Sequence, residues 1–317
     1  MSRVNNDELH VVFGTGPVGL AVMDELVAKG VRVKMVNRNG RAKLPQGVEI
    51  RGVDATDPER TREVCDGASV VYNCLNAPYN RWPEMFPPLQ NGVLEGAAFA
   101  GAKLVAIENL YLYGRVGSKP MTEDLPYAAT NRKGRTRAVM ARDLMAAHEE
   151  GKVRVAVGRA SDFFGPRGGL SFMGDRIFYP ALEGKPAEIF GNLDALHTYT
   201  YLPDIGTGLV ILGERDEALG QAWHLPAAET LTTRQFIEMI FEESGQQPRI
   251  RSTPKAVFRI IGLFNPIVRE FPEIYYEFDE PFVLDHLKFE QAFANHATPL
   301  REAIRTTLNW YGGHPQE

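Results

Sequence analysis

Residues 11–19 read Val-Val-Phe-Gly-Thr-Gly-Pro-Val-Gly and contain the spacing that decides the fold, three glycines arranged as GxGxxG. The apolar run Leu9–Phe13 leads into Gly14, and a helix-compatible run to Ala28 follows Gly19. Glycines at these places allow a tight turn, let a pyrophosphate approach the backbone and permit close packing of helix on strand. The NH groups at the start of such a helix favour an anion. The stretch predicts a dinucleotide-binding turn, and the alternative is a glycine turn without a ligand.

Apolar runs alternate with helix-compatible segments through the first half of the chain. Strands are predicted at Leu9–Phe13, Val31–Val36, Val48–Val53, Ser69–Leu75, Lys103–Glu108 and Val153–Gly158, and helices at Val18–Ala28 and at residues 58–66, 89–101 and 135–150. Alternation of this kind builds parallel strands with right-handed crossovers. We therefore predict an α/β fold with a Rossmann-type doubly wound parallel sheet.

The regular alternation of strands and helices ends at about residue 165, where a glycine-rich loop begins a less regular second part. The residues Thr232–Gln235 have the spacing of a capping box, which predicts the start of an amphipathic helix. We predict a dinucleotide-binding domain over residues 1–165, to which some later segments return, and a smaller C-terminal substrate lobe over residues 166–317. Ligands of such folds bind outside the carboxyl ends of the strands, so the lobe is expected to form the substrate site.

The end of the second strand bears on the choice of dinucleotide. Sites specific for NAD usually carry a carboxylate there, which accepts a hydrogen bond from the ribose 2′-hydroxyl. This chain has Asn37 and Arg38 at that point, with Arg41 and Lys43 nearby, and no acid. Because a guanidinium pairs with a 2′-phosphate that a carboxylate would repel, the sequence favours NADP(H) over NAD(H). The alternative is that Arg38 is a solvated loop residue.

The cofactor contacts are expected in the glycine turn and at the ends of neighbouring strands. The segment after the third strand suits contact with the adenine edge, and the segment after the fourth would run beneath the adenosine ribose and the pyrophosphate. The predicted cofactor-binding residues are Gly14, Thr15, Gly16, Pro17, Val18, Gly19, Asn37, Arg38, Asp54, Ala55, Leu75, Asn76, Ala77, Ala160 and Ser161.

Further motifs agree with this arrangement in their order and spacing. Besides GxGxxG they are Asp54-Ala55, Tyr113-Gly114, Thr122-Glu123-Asp124, Gly158–Pro166, Tyr201–Asp204 and Leu308–Tyr311. On these motifs the chain resembles the extended and atypical short-chain dehydrogenase/reductase superfamily over almost its whole length. The resemblance implies a Rossmann fold, a nicotinamide dinucleotide cofactor and a small-molecule substrate, but it does not identify that substrate.

The positions that carry catalysis in that superfamily are changed here. The resemblance implies a serine five residues before Gly114 and a Tyr-x-x-x-Lys pair that begins about ten residues after Glu123. This chain has Asn109 in the serine position, Lys133 in the tyrosine position and Arg137 in the lysine position. Arg137 stays charged and is expected to bind the ribose hydroxyls beside the nicotinamide, as the lysine of the superfamily does.

Two residues are candidates for the proton donor in place of the missing tyrosine. Lys133 would act as an acid if the neighbouring arginines lowered its pKa toward neutrality. Tyr111 is the second candidate, because continued strand alternation would place Asn109, Tyr111 and Tyr113 on one face. The alternatives are that Tyr113 has a packing role and that the basic run over residues 131–142 is a solvated helix face.

An aromatic cluster lies where the small lobe is expected to cover the active site. It consists of Phe258, Phe264, Phe271, Tyr275, Tyr276 and Phe278. Near-helical spacing favours a role in the core of the lobe. If part of the cluster lines the pocket, the substrate is apolar or aromatic.

Composition excludes several classes of protein. The 317 residues carry a net charge of −5, which argues against nucleic acid and anionic membranes as partners. The polar start and the absence of any apolar run near ~18 residues lead us to expect a cytoplasmic protein without a membrane segment. Scattered histidines without paired ligand spacing predict no metal site. The oligomeric state stays open, with a homodimer as the alternative to a monomer.

These features lead us to expect an NADP(H)-dependent oxidoreductase that transfers hydride to a carbonyl or polarised double bond of a small molecule. A catalytically silent dinucleotide-binding sensor or regulator is the main rival, because all three catalytic positions are replaced. A nucleotide-sugar epimerase or dehydratase is a third alternative, which the missing tyrosine disfavours.

Overall fold

The computed structural model of the chain describes residues 8–253 and 270–316. The strands are β1 (Leu9–Phe13), β2 (Arg32–Asn37), β3 (Glu49–Gly52), β4 (Ala68–Asn73), β5 (Lys103–Glu108), β6 (Arg154–Arg159), β7 (Phe163–Phe164), β8 (Ala187–Phe190), β9 (Leu196–His197), β10 (Thr200–Tyr201), β11 (Gln221–His224), β12 (Leu231–Thr232) and β13 (Ile250–Thr253). The α-helices are α1 (Pro17–Ala28), α2 (Pro58–Cys65), α3 (Trp82–Ala100), α4 (Arg132–Glu149), α5 (Asp175–Glu183), α6 (Leu202–Glu214), α7 (Thr233–Glu243), α8 (Phe271–Ile274), α9 (Tyr276–Asp279), α10 (Leu287–Phe293) and α11 (Leu300–Gly313).

The main sheet has seven strands in the order β11-β6-β5-β4-β1-β2-β3, and all of its pairings are parallel. The predicted α/β fold with a doubly wound parallel sheet is confirmed. The strand order reverses at β1, which pairs with β2 on one side and β4 on the other. The glycine turn therefore lies at the switch point of the sheet, where ligands of such folds bind.

Helices cover both faces of the sheet, as a parallel sheet requires. Helices α1 and α6 pack together on one face, and α2, α3 and α4 cover the other. Every residue of β1 is buried, because this strand lies at the centre of both packing layers. None of the described helices is long and apolar enough to cross a membrane.

The six predicted strands lie within two residues of their expected places, but one helix and one strand differ. Helix α3 begins at Trp82, seven residues before the predicted start, although Pro87 and Pro88 lie inside it. Burial of Trp82 and Phe86 in the interior stabilises these first turns and offsets the missing backbone donors. Strand β11 is not predicted from the sequence, because it has only four residues and they carry no strand periodicity.

A smaller cluster of elements lies beyond residue 165. Helices α5, α7 and α11 pack around strand β8 and share one apolar core. The capping box at the start of α7 is confirmed, since the Thr232 hydroxyl accepts a hydrogen bond from the Gln235 backbone and the Gln235 side chain accepts one from the Thr232 backbone. Two later elements, α6 and β11, return to the main sheet.

A buried polar network joins the carboxyl ends of β5, β6 and β11. Arg159 is 1% exposed, and its Nε donates to the Glu108 carboxylate at 3.0 Å. Its other guanidinium nitrogens donate to the hydroxyls of Tyr113 at 2.7 Å and Tyr127 at 2.6 Å. The Tyr113 hydroxyl also lies 2.7 Å from His224 Nε2. Burial lowers the pKa of His224 to about 3, so this ring is neutral. Its Nδ1 donates to the Asp285 carbonyl, and its Nε2 accepts a hydrogen bond from the Tyr113 hydroxyl.

We expect Glu108→Ala to destabilise the protein by about 3–5 kcal/mol, because the substitution leaves the buried Arg159 charge without its carboxylate. Urea denaturation at neutral pH measures this loss. The matched control is Glu217→Ala, which removes a mostly exposed partner of Arg215 at 3.9 Å and is expected to change little. Equal stability of the two variants would contradict the conclusion that the Glu108–Arg159 pair stabilises the carboxyl ends of β5 and β6.

Candidate functional site

The glycine turn after β1 combines close backbone packing with an open face. Gly14 has a φ of 108°, and a side chain there would meet the Cys74 carbonyl oxygen at 2.6 Å. A side chain at Gly19 would collide with the Gly14 carbonyl. In contrast, a Cβ atom on Gly16 would meet no protein atom within 4 Å. Helix α1 begins here at Pro17 with no side-chain cap, so open space adjoins its first-turn NH groups. This arrangement fits a pyrophosphate.

The predicted cofactor residues come together at one edge of the sheet. Parallel strands end on the same side, so the segments after β1, β2, β3, β4 and β6 share the carboxyl edge. Asp54 follows β3, where its carboxylate accepts from the Thr56 NH and hydroxyl, and these hydrogen bonds lower its pKa. The Ser161 hydroxyl, after β6, is buried without a hydrogen-bond partner. The remaining predicted residues on this edge are Thr15, Val18, Ala55, Leu75, Asn76, Ala77 and Ala160.

Asn37 at the end of β2 has an internal role. Its side-chain amide donates to the Thr15 hydroxyl at 3.0 Å and to the Arg41 carbonyl at 2.9 Å, and its carbonyl oxygen accepts from the Gly40 NH at 2.7 Å. The side chain thereby braces the glycine turn against the loop after β2. These bonds occupy the polar atoms with which we expected Asn37 to contact the cofactor.

Three cations in the loop after β2 stay exposed. Arg38, Arg41 and Lys43 all face solvent, and none forms an ion pair with a carboxylate in the described part of the chain. Arg38 acts on Asp54, whose pKa it helps to lower after the Thr56 hydrogen bonds. The loop therefore carries three exposed positive charges that have no ion-pair partner among the described residues.

The expected alternation beyond β5 is wrong. The strand ends at Glu108, and residues Tyr111–Tyr113 form a 3₁₀ turn that sends the two tyrosines in different directions. Tyr113 joins the Arg159 network, whereas the Tyr111 hydroxyl lies 2.7 Å from the Tyr79 hydroxyl. Burial raises the pKa of Tyr111 well above its usual value. Asn109 remains at the strand end, where its side-chain oxygen accepts weakly from the Tyr111 NH at 3.4 Å.

Lys133 lies in different surroundings from those expected. Its side chain is completely buried, and its ammonium contacts the carboxylates of Glu270 and Glu273, the latter at 3.0 Å. The Glu273 carboxylate also accepts from the Lys133 backbone NH at 2.7 Å. We expected neighbouring arginines to favour the neutral amine of Lys133. Two carboxylates surround its ammonium instead. Lys133 ties α4 to the segment that leads into α8.

The basic run on α4 divides into exposed and buried members. Arg132, Arg135 and Arg142 are exposed, as expected of a solvated face, but Lys133 and Arg137 are buried. The solvated-face interpretation therefore holds for only part of this run.

Arg137 is a buried cation without a carboxylate partner among the described residues. It donates to the Ile107 carbonyl at 3.2 Å, its guanidinium lies 4.8 Å from the Phe86 ring centre, and its Nε has no partner. Burial lowers its pKa, yet a guanidinium remains protonated. Donors held in this way at the end of β5 suit oxygen atoms such as ribose hydroxyls.

Sequence reasoning missed a second group of polar residues near Tyr111. Glu277 on α9 is fully buried, and neither of its carboxyl oxygens has a hydrogen-bond partner. Asp162, just beyond β6, acts electrostatically on both Glu277 and Tyr111 and lies 3.1 Å from His197 Nε2. No motif marks Glu277, because only tertiary packing brings α9 to this edge.

Aromatic rings surround these polar groups. Phe271, Tyr275 and Phe278 from the small lobe share an apolar cluster with Trp82 and Tyr111. The predicted cluster therefore serves partly as the core between the lobe and the sheet edge. Tyr276 is buried nearby, and the predictions for Phe258 and Phe264 concern residues outside the described ranges. No group of three potential metal ligands occurs among residues 8–253 and 270–316.

Comparison with known proteins places this geometry in a family. A family model described as the NAD dependent epimerase/dehydratase family matches residues 11–225. No curated protein matches the sequence. Among solved structures, the UDP-glucose 4-epimerase of Thermus thermophilus in complex with NAD is similar with 18% identity and a TM-score of 0.75, over 97% of this chain and 100% of that chain.

Two further structures have the same fold at low identity. The dTDP-glucose 4,6-dehydratase of Bacillus anthracis in complex with NAD is 14% identical, with a TM-score of 0.79 over 97% of each chain. The UDP-N-acetylglucosamine 4-epimerase of Bacillus cereus is also 14% identical, with a TM-score of 0.78 over 98% of this chain and 99% of that chain. Since the family model covers more than half of the sequence, this chain belongs to the NAD-dependent epimerase/dehydratase family.

Proposed function

We propose that this protein binds NADP(H) and catalyses hydride transfer to a carbonyl or polarised double bond of a small molecule. The observation that carries the proposal is the open glycine turn, where Gly16 faces free space in front of an uncapped helix. Arg137 supports it, because its Nε is an unpaired donor at the same edge of the sheet. A helix N-terminus and a buried guanidinium are the groups that phosphate and ribose oxygens require.

The preference for NADP(H) rests on the loop after β2. Arg38, Arg41 and Lys43 carry three exposed charges there, and no carboxylate follows the strand. A 2′-phosphate would supply the missing counter-charge, and a guanidinium can bind it through two hydrogen bonds. The ribose of NAD(H) offers only a hydroxyl, for which the loop has no acidic acceptor.

When bound, the nicotinamide would supply or accept the hydride, so the protein has to orient the substrate and move a proton. Arg137 would hold the ribose hydroxyls beside the nicotinamide. Asn109 at the end of β5 would donate from its amide to a substrate oxygen. The rings of Phe271, Tyr275 and Phe278 would exclude water and favour an apolar or aromatic substrate.

Interconversion without net redox change is the second candidate function, and the family match favours it. Epimerases and dehydratases also begin with hydride transfer, so the two functions share the site described above and differ in their product. A protein that binds the dinucleotide without turnover is the third candidate, since the residues in the usual serine, tyrosine and lysine positions are replaced.

Gly16→Val is expected to abolish dinucleotide binding while the thermal midpoint stays near that of the wild type. The valine side chain would occupy space that is open in the protein and that a pyrophosphate needs. Calorimetric titration with NADPH measures the loss. In the matched variant Gly14→Ala the new methyl group meets the Cys74 carbonyl, so this variant should lose stability as well. Retention of wild-type affinity by Gly16→Val would refute the assignment of the turn.

NADP(H) is expected to bind more tightly than NAD(H) by about 1–3 kcal/mol, through one charge-assisted pair with the 2′-phosphate. Arg38→Ala should remove most of this difference and leave the affinity for NAD(H) nearly unchanged. Arg32→Ala is the control, because Arg32 is exposed on the same strand but at its opposite end. Equal affinities of the wild type for both dinucleotides would rule out this preference.

A panel of apolar and aromatic ketones, aldehydes and enones tests the reaction itself. We expect NADPH to be consumed in equal amount to the product, and Gly16→Val serves as the inactive control. Products that form without net consumption would instead establish epimerase or dehydratase chemistry. Tight binding of NADPH without turnover of any carbonyl, enone or sugar nucleotide would establish a silent binding protein.

A further inference from the structure

We infer that Glu277 is the proton source of the proposed reaction and that the Tyr111 hydroxyl passes its proton to the substrate oxygen. The inference rests on the proposed function, and it assigns the role of the replaced tyrosine to a residue of the small lobe. Glu277 and Tyr111 come from α9 and from the turn after β5, which meet only in the folded chain.

Glu277 is an unusual carboxyl group because it is enclosed without a partner. The residue is 0% exposed, and both carboxyl oxygens lack a hydrogen bond. Buried carboxylates in proteins are nearly always paired with a cation or a set of donors. Lys133, a buried cation that also contacts the small lobe, is taken up by Glu270 and Glu273 instead. No ion pair reaches Glu277 from any other described residue.

The groups that face Glu277 either disfavour its ionisation or stabilise the negative charge of its carboxylate only weakly. Asp162 adds a like charge, and the hydroxyls of Tyr111 and Tyr276 lie near enough to interact without forming well-aligned hydrogen bonds. Tyr79 is also within electrostatic reach. Burial, followed by Asp162, raises the pKa of Glu277 well above its usual value. Burial and the like charge of Asp162 therefore favour the protonated acid over the carboxylate at this edge of the sheet.

Other unpartnered polar atoms lie at the same edge of the sheet. Besides the two Glu277 oxygens, buried atoms without a hydrogen bond there include Ser161 Oγ, Tyr276 Oη and Arg137 Nε. Folded proteins leave few such atoms, and a cluster of them marks a place where a ligand or a reacting group completes the bonding. Glu277 and Asp162 both act electrostatically on Tyr111, and Tyr111 acts on Arg137.

The proposed step delivers one hydride and one proton to the substrate. The substrate carbonyl carbon receives a hydride with its two electrons from the reduced dinucleotide, and the C=O π pair moves to the oxygen. That oxygen takes the Tyr111 proton while Tyr111 takes the Glu277 proton, so that no tyrosinate accumulates. Glu277 is left as a carboxylate and regains a proton from solvent. Tyr111 could not act alone, because burial keeps its pKa far above neutrality.

Other candidates fit less well. Lys133 is held between the carboxylates of Glu270 and Glu273, so its ammonium is engaged in two ion pairs. Asp162 lies against His197 at 3.1 Å, and the two therefore form a pair of their own. Among the described carboxyl groups at this edge, Glu277 is the one that has neither an ion pair nor a well-aligned hydrogen bond.

The protonation of Glu277 can be tested on the protein without cofactor or substrate. Infrared difference spectra between wild type and Glu277→Gln should show a protonated carboxyl band at neutral pH. Because folding raises the pKa of Glu277, the folded state holds more protons than the unfolded state above about pH 4.3. The unfolding equilibrium constant of the protein should therefore grow by up to tenfold per pH unit above that value. Glu277→Gln should lose this dependence.

The catalytic role is tested with NADPH and any substrate found in the carbonyl panel. Glu277→Gln should lower turnover by about 100-fold or more with unchanged NADPH affinity. The wild-type reduction rate should fall as pH rises through the raised pKa of Glu277, and the variant should lack this limb. Tyr111→Phe should cause a similar loss, and the double variant should be no slower than either single one, because both residues belong to one path.

Glu280→Gln is the matched control, since Glu280 lies in the same segment and pairs with Arg115 at 3.3 Å. It should keep both the turnover and the pH profile. Wild-type turnover and pH profile in Glu277→Gln, or an ionised Glu277 at neutral pH, would overturn the inference and leave the proposed function standing. A wild type that binds NADPH but turns over no substrate would overturn both.

Discussion

The rest of this site depends on the hydrogen bonds of the buried Arg159 guanidinium. A buried cation is tolerated only when its donors are satisfied, and Glu108, Tyr113 and Tyr127 satisfy them here. Glu108 ends β5 and Arg159 ends β6, so the pair fixes two neighbouring strand ends at one height. His224 at the end of β11 extends the network through Tyr113. This buried polar network thus holds the strand ends at the carboxyl edge that carries the candidate site.

Several residues of the motifs that carry the family resemblance belong to this buried polar network or contact it. Tyr113, Glu123 and Arg159 all belong to recognisable motifs, and each contacts the buried network, with Glu123 accepting from the His224 backbone NH at 2.8 Å. Their role is to hold the strand ends. Asn109 and Arg137, which we propose to contact the substrate and the cofactor, occupy positions where the chain departs from the superfamily that it resembles. The motif residues that hold the strand ends are therefore present, whereas the residues in the usual catalytic positions differ.

The small lobe compensates for that change by its contacts with the sheet edge. Lys133, in the usual tyrosine position, binds Glu270 and Glu273 and so anchors the lobe to α4. This anchor brings α9 over the turn after β5, with Glu277 facing Tyr111. Lys133 thus forms ion pairs with the lobe, and the proton donor that we propose, Glu277, lies outside any motif. The two changes are coupled because the same segment supplies the carboxylates and Glu277.

The sequence by itself determined the sheet, the glycine turn and the uncompensated cations after β2, because each depends on residues that are neighbours in the chain. Strand periodicity, the GxGxxG spacing and the Thr232 capping box are local properties, and they predicted local structure. Only the tertiary structure decided the surroundings of Lys133 and the position of Glu277. Those depend on contacts between segments more than 130 residues apart, whose charges and burial no local pattern encodes. For the same reason β11, whose place comes from pairing with β6, was found only in the folded chain.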